Sequence, residues 1–393
     1  MNIDTQNIMK TYNRKSIVFE KGQGVWLFDD QGEKYLDFVS GVAVNCLGHS
    51  HPTFVNEMQK QVAKLTHVSN LYWTKEQVTL GKRLCNLSNL SSAFFCNSGT
   101  EALETALKIA KKHGQSIASD KNKVIVMEKA FHGRTIGALS LTFNNKYKDP
   151  FGSLLTDIVA VPINDITALK QIMDEKVCAV VIEPIQGEGG IYSLDASYLK
   201  ASKDLCESNN ALLVFDEVQC GMGRSGHVFA HQKKNIQPDV LCLAKGLGAG
   251  MPIGAVLVNQ KADVLVAGDH GSTFGGNSLA SCAGNIVLDH ITKASFLEQV
   301  NESSAYLKEK LEQLNDSYDF LVEVRGEGLM LGLETKYLSK DIVSLAMDEK
   351  LLLIGAGEKT VRIIPPLVIT NVEIDIFIEK FEKILNKLIE HKD

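Results

Sequence analysis

Pro238-Asp239-Val240-Leu241-Cys242-Leu243-Ala244-Lys245-Gly246-Leu247-Gly248-Ala249-Gly250 runs five apolar residues into a single lysine and then breaks into glycines. A short continuous apolar run between Pro and Gly signals has the pattern of a strand buried on both faces. A lysine directly behind it is unusual, because buried or half-buried lysines are rare unless paired or put to use. In open α/β sheets, ligands sit just beyond the carboxyl ends of the strands. A desolvated lysine at such a place loses proton affinity and can act as a Schiff-base amine. The ordinary alternative is a solvated surface charge.

Runs of the same kind lie on both sides of it. Residues 93–96, 124–127, 158–161, 178–182, 211–215 and 253–258 are short, apolar and rich in strand-forming types, and helical patterns separate most of them. Together with 240–244 they predict an α/β fold whose large domain holds a mainly parallel, seven-stranded sheet. Ahead of them, Asp29-Asp30-Gln31-Gly32 between two apolar pentads predicts a hairpin, and a helix is expected from Pro52. Behind them the character changes. Helical patterns cover 279–291 and 296–314, and strand-like runs at 321–324, 329–333 and 361–366 surround an expected turn at Arg325-Gly326-Glu327-Gly328. An amphipathic helix is predicted over 372–392. The 393 residues suit two domains. The expected division is an N-terminal segment, 1–60, packing with a small α+β domain at 278–393, and a large domain at 61–277.

Composition excludes several classes of function. With 41 basic and 47 acidic residues the net charge is −6, which offers no basic field for nucleic acid and no polybasic membrane patch. No apolar run approaches the ~18 residues of a membrane span. The chain starts without an apolar signal region. The eight cysteines are scattered with no CxxC pair, as in a reduced, cytoplasmic protein.

The chemistry-bearing residues follow the predicted strands. Asn97-Ser98-Gly99-Thr100 opens a helix with Ala102, Leu103, Ala106, Leu107 and Ala110 on one face and Gly114 as its expected stop. Ser98, Gly99 and Thr100 would put hydroxyls and free N–H groups at the positive helix end, which suits an anion such as phosphate, or else a plain N-cap. Phe131-His132-Gly133-Arg134 follows the 124–127 run, Glu183 follows 178–182, and Asp216 follows 211–215. An aromatic for stacking, a carboxylate for a ring nitrogen, a phosphate cup and a lysine for a carbonyl are together the partners of pyridoxal phosphate. Two other signals carry less. His49-x-His51 lacks the further ligands of a metal site, and no metal is expected. Gly221-Met222-Gly223-Arg224-Ser225-Gly226 fits G-x-G-x-x-G literally, but five residues separate it from the strand and no periodic helix opens at its second glycine.

The chain resembles the class III aminotransferases of fold type I. The segments that carry the resemblance are Asn97-Ser98-Gly99-Thr100-Glu101-Ala102, Phe131-His132-Gly133-Arg134-Thr135, Glu183-Pro184-Ile185-Gln186-Gly187-Glu188, Asp216-Glu217-Val218-Gln219, Ala244-Lys245-Gly246 and Gly271-Ser272-Thr273-Phe274-Gly275-Gly276-Asn277. They run in family order over nearly the whole chain. Within the class, Ser40-Gly41-Val42-Ala43-Val44-Asn45-Cys46-Leu47-Gly48-His49 and the compact length are similar to the members that use N2-acetylornithine. Cys220 departs from the threonine usual in the family, and Thr100-Glu101-Ala102-Leu103 from its commonest form.

The resemblance implies roles by position. Lys245 would hold pyridoxal 5'-phosphate covalently and shuttle a proton, and Asp216 would pair with the ring nitrogen. Gln219 would bond the ring hydroxyl. Phe131 and Val218 would sandwich the ring, with His132 beside it. Ser98, Gly99 and Thr100 would bind the phosphate, joined by Thr273 of a second subunit in a homodimer with shared active sites. Arg134 and Arg362 would bind substrate carboxylates, and Glu188 would pair with Arg362 in one half-reaction and release it in the other. The implied ping-pong reaction moves the terminal amino group of N2-acetylornithine to 2-oxoglutarate. Ornithine, succinyldiaminopimelate and 4-aminobutyrate aminotransferases share nearly all of these motifs and are the alternatives.

Overall fold

The computed structural model describes residues 7–390. The Asp/Gly turn folds back as expected. β2 (Trp26–Asp29) and β3 (Lys34–Asp37) pair antiparallel, and the Asp29 carboxylate accepts from the N–H groups of Gln31 and Glu33 to close the turn. β1 (Phe19–Gln23), too polar to be read as a strand, adds to the outer edge.

All seven apolar runs lie in one sheet. β4 (Ser92–Cys96), β5 (Lys123–Met127), β6 (Ile158–Val161) and β7 (Val177–Ile182) are joined by β10 (Leu212–Asp216), β11 (Val240–Leu243) and β12 (Gly254–Val258), in the order β4-β12-β11-β10-β7-β5-β6. Only β12 runs against the others. Every residue of β7, β10, β11 and β12 is buried, which accounts for their continuous apolar sequences. Each fully buried Val or Leu contributes about 1.5–3 kcal/mol. Six carboxyl ends therefore share one edge, and the edge is fixed by the core beneath it.

Between β7 and β10, a short hairpin forms from β8 (Ile185–Gln186) and β9 (Tyr192–Ser193), too brief to leave a periodic signal. The C-terminal part supplies a second sheet of β13 (Leu321–Glu327), β14 (Met330–Thr335), β17 (Thr360–Ile363) and β16 (Ile354–Ala356). β15 (Leu351–Leu352) leaves that sheet and pairs parallel with β3, so the N-terminal strands are joined to the C-terminal part. The last helix, Asn371–Glu390, matches the amphipathic pattern, and His391 and Lys392 of the expected span lie outside the described residues. Among the described residues no helix is long and apolar enough to cross a membrane.

Two local expectations fail. The helix after Ser98 does not stop at Gly114 but continues to Ile117. Gly114 is there for space: an added Cβ would lie 2.0 Å from the Lys121 carbonyl oxygen and 2.8 Å from Cys178 Cβ. The expected turn at residues 325–328 is also displaced. β13 runs through Arg325 and Gly326 to Glu327, and pairs Arg325 with Gly332. Gly326, at φ 114°, gives the strand a close approach to Ile191 without a break.

Candidate active site

Five strand ends and one strand start surround a cavity of about 390 Å³. Asn97 to Thr100 follow β4, Phe131 to Arg134 follow β5, Glu183 follows β7, Asp216 ends β10 with Val218 and Gln219 behind it, and Lys245 follows β11. Gly250 to Ile253, just before β12, close the remaining side. Lys245 begins a single 3-10 turn with φ 43°, a left-handed conformation that costs energy for a residue with a Cβ. Among the described residues nothing hydrogen-bonds or ion-pairs with its Nζ. Burial lowers its pKa, the nearby Arg362 cation acts the same way, and Glu188, Asp216 and Glu183 oppose them without reversing the direction.

In the same cavity, a buried acid–base pair is held in place by its neighbours. Asp216 Oδ2 lies 2.7 Å from His132 Nδ1, and Asp216 Oδ1 accepts from the Val218 N–H at 3.0 Å. Burial works against a charged His132, but its hydrogen bond to Asp216 and the charges of Asp216 and Glu183 raise its pKa overall. Glu183 sits against the same pair. Its two oxygens accept from the N–H groups of Phe131 (2.9 Å) and Gly187 (3.0 Å), and burial with Asp216 nearby pushes its pKa up to about 7 despite the His132 charge.

At the other end of the cavity the helix Gly99–Ile117 begins. Ser98 is its N-cap, with Oγ 3.4 Å from the Glu101 nitrogen, and Ser98, Gly99 and Thr100 line the cavity, where the first N–H groups of a helix have no intrahelical partner. Val218 packs against this start so closely that a Cβ on Gly99 would lie 2.7 Å from Val218 Cγ1. Thr100 Oγ1 accepts from the Arg134 N–H at 3.2 Å, which ties the Phe131–Arg134 loop to the helix start. The Arg134 guanidinium lies over the rings of Tyr147 (3.6 Å to the centroid) and Phe131 (5.4 Å).

Arg362 approaches from β17 and is wholly buried. Its Nη1 donates to Glu188 Oε1 at 2.5 Å and to Gln219 Oε1 at 3.0 Å. Burial raises and the Arg362 charge lowers the pKa of Glu188, with a lowering overall. Glu188 and Arg362 do not line the main cavity; Gln219, which does, connects them to it.

A sequence model of the family described as "Aminotransferase class-III" matches residues 8–385. The chain belongs to the class-III aminotransferases. It is 47% identical over 380 residues to the acetylornithine aminotransferase of Clostridium acetobutylicum, covering 96% of this chain and 98% of that one. Among solved structures it is similar to an N-acetylornithine aminotransferase from Stenotrophomonas maltophilia (TM-score 0.85, 32% identity, 97% and 98% covered). It is similar also to an ornithine aminotransferase from Toxoplasma gondii described with partial occupancy of PLP at its active site (TM-score 0.94, 31% identity, 98% and 93% covered).

The cofactor of this aminotransferase is pyridoxal phosphate, and the residues present fit it. An amine of lowered basicity, a helix start that could take a phosphate, and a buried carboxylate all line the one cavity. Val218 can pack directly on the helix start because Gly99 has no side chain.

The cavity brings together Ser98, Gly99, Thr100, Phe131, His132, Arg134, Asp216, Val218, Gln219 and Lys245. It does not bring in Thr273, which is exposed on the segment between β12 and the helix Ser278–Ile291. Glu183 was given no role from sequence, although it lines the cavity; the signal that marked it was its place directly after an apolar run. The glycine motif at residues 221–226 opens no helix, and Arg224 within it is buried against the carbonyls of Leu329 and Pro365. His49 is engaged by Asp37 at 2.7 Å, and His51 packs edge-on to His290, so each has a packing role.

Proposed function

We propose that this aminotransferase moves the terminal amino group of N2-acetylornithine to 2-oxoglutarate, giving N-acetylglutamate 5-semialdehyde and glutamate, a step of arginine biosynthesis. The observation that carries the site assignment is the depressed, unpaired Lys245 lining one cavity together with the Asp216–His132 pair. Bound pyridoxal phosphate supplies the carbonyl that captures an amine and the ring that takes up an electron pair. The protein supplies the rest. Lys245 Nζ holds the cofactor and, once displaced by substrate, takes the proton from the amine-bearing carbon and returns it. Asp216, held by His132 and the Val218 N–H, keeps negative charge at the ring-nitrogen end. Phe131 and Val218 would flank the ring, Gln219 would bond its hydroxyl, and Ser98, Gly99 and Thr100 would bind the phosphate.

Substrate choice rests on the two arginines. Arg134, exposed at the mouth, is available to a carboxylate of either substrate. Arg362 is neutralised by Glu188 when the bound amine brings no second carboxylate, and is released when 2-oxoglutarate brings one. Ornithine is the second reading, supported by the similarity to the Toxoplasma gondii structure. Comparing kcat/KM for N2-acetylornithine and ornithine, each with 2-oxoglutarate, separates the two. A preference of about tenfold or more for the acetylated donor is expected, because free ornithine adds a desolvated charge to a site that already holds Arg362. A preference for ornithine would overturn the assignment.

The active unit in this reading is a homodimer. Trp73, 87% exposed, lines a surface groove with Ser272, and Leu71, Tyr72 and Phe274 are exposed beside it. Asn70 ties the two segments together by donating to the carbonyls of Ser272 and Gly275. These exposed apolar residues suit a second copy, and the proposed dimer would let the partner's Thr273 join Ser98, Gly99 and Thr100 at the phosphate. Sedimentation equilibrium should give twice the chain mass, and Thr273→Ala should weaken cofactor retention; a fully active monomer would contradict both. A cytoplasmic location is the accompanying proposal, supported by eight cysteines that are all free. Cell fractionation should find the enzyme in the cytosol, and recovery elsewhere would refute it.

A further inference from the structure

The loop that carries Glu188 joins β8 to β9, and its tip rests on the C-terminal sheet. Gly332 of β14 is paired directly with Arg325 on one side and with Arg362 on the other. Directly opposed residues share a face, so the two arginines stand on one face of the sheet with a bare glycine between them. Ile191 occupies that gap: an added Cβ on Gly332 would lie 2.9 Å from Ile191 Cβ. Ile191 is fully buried and has φ 59°, a conformation that β-branched residues avoid and keep only when their surroundings hold them.

Arg325 provides the hold. Its Nε donates to the Gly190 carbonyl oxygen at 2.8 Å, its Nη2 donates to Thr360 Oγ1 at 2.8 Å, and its guanidinium lies 4.1 Å from the centre of the Tyr192 ring. Glu323 and Glu334 pair with its Nη1, so the cation is balanced without drawing on Glu188. Gly190 is two residues from Glu188, and Thr360 is two residues from Arg362 on the same face of β17. One planar guanidinium therefore fixes the distance between the strand that carries Arg362 and the loop that carries Glu188.

We propose that Arg325 is a positioning residue that holds Glu188 against Arg362 and so sets the discrimination between a terminal-amine donor and a dicarboxylic amino acid. This rests on the substrate reading above. Without Arg325 the strained tip relaxes, Glu188 moves off, and the uncovered Arg362 accepts the α-carboxylate of glutamate more readily.

The test uses wild-type holoenzyme with Arg325→Met, Arg325→Lys and Tyr192→Leu. Single-turnover rates are measured with N2-acetylornithine and with glutamate as donors, and glutarate binding is measured by calorimetry as a readout apart from turnover. In Arg325→Met the ratio of the two kcat/KM values should fall by about tenfold, mainly through a lower KM for glutamate, with tighter glutarate binding. Tyr192→Leu and Arg325→Lys should move both in the same direction by about threefold. These two variants decide the matter if Arg325→Met fails to fold. Unchanged glutamate KM and glutarate affinity in them, or an equal loss of rate with both donors, would overturn the proposal. A wild-type enzyme inert toward N2-acetylornithine would instead refute the substrate reading, and the glutamate and glutarate arms would still judge Arg325.

Discussion

Lys245→Ala is expected to lower turnover by about 10⁴-fold, the upper range for losing a positioned proton-transfer group. Two functions disappear with one nitrogen. The variant has no amine to hold the cofactor covalently, and none to move the proton at the reacting carbon. Neighbouring cations cannot substitute, because Arg362 is engaged by Glu188 and Gln219, and Arg134 is spread over two aromatic rings. Arginine also stays protonated at any working pH. The left-handed backbone at residue 245 remains costly with alanine, so the fold should persist with little change in stability. The measurement is single-turnover transamination together with cofactor retention after dialysis. Activity within about tenfold of wild type would remove Lys245 from the reaction.

Asp216→Asn is the second large effect, with an expected loss of about 10²- to 10³-fold, the scale of removing one preorganised electrostatic partner. The substitution keeps the shape and removes the charge. His132, whose pKa is raised chiefly by its bond to Asp216 against the effect of burial, should then lose its proton more readily. Glu183, pushed up in part by the Asp216 charge, should ionise at lower pH. The variant is therefore expected to show its loss in kcat, together with an altered pH profile, while substrate KM changes little. A pure KM effect would indicate that Asp216 only shapes the pocket.

Much of this site was legible in the sequence because its scaffold is a sheet buried on both faces. Such strands are apolar along their buried length, so the polar residue that closes or follows each run stands out: Asp216 at the end of β10, Glu183 after β7, Lys245 after β11. What could not be read depended on contacts between distant segments. Gly114 looked like a helix stop, but it is a point of close approach to Lys121 and Cys178. Arg325-Gly326-Glu327-Gly328 has turn composition, yet pairing with β14 and packing on Ile191 keep it extended. β8 and β9 have two residues each, too few for any periodicity. That Thr273 stands apart from its own chain's cavity follows from the path of the chain after β12, which no local pattern records.

The identity of the lysine that carries the cofactor is the central point to test. The holoenzyme should be reduced with borohydride, digested, and mapped by mass spectrometry. The cofactor mass is expected on the peptide containing Lys245, in near-stoichiometric yield, with no label on any other lysine and none in Lys245→Ala. Label on a different lysine of the wild-type protein, or a reduced holoenzyme that releases its cofactor unmodified, would contradict the assignment of the site.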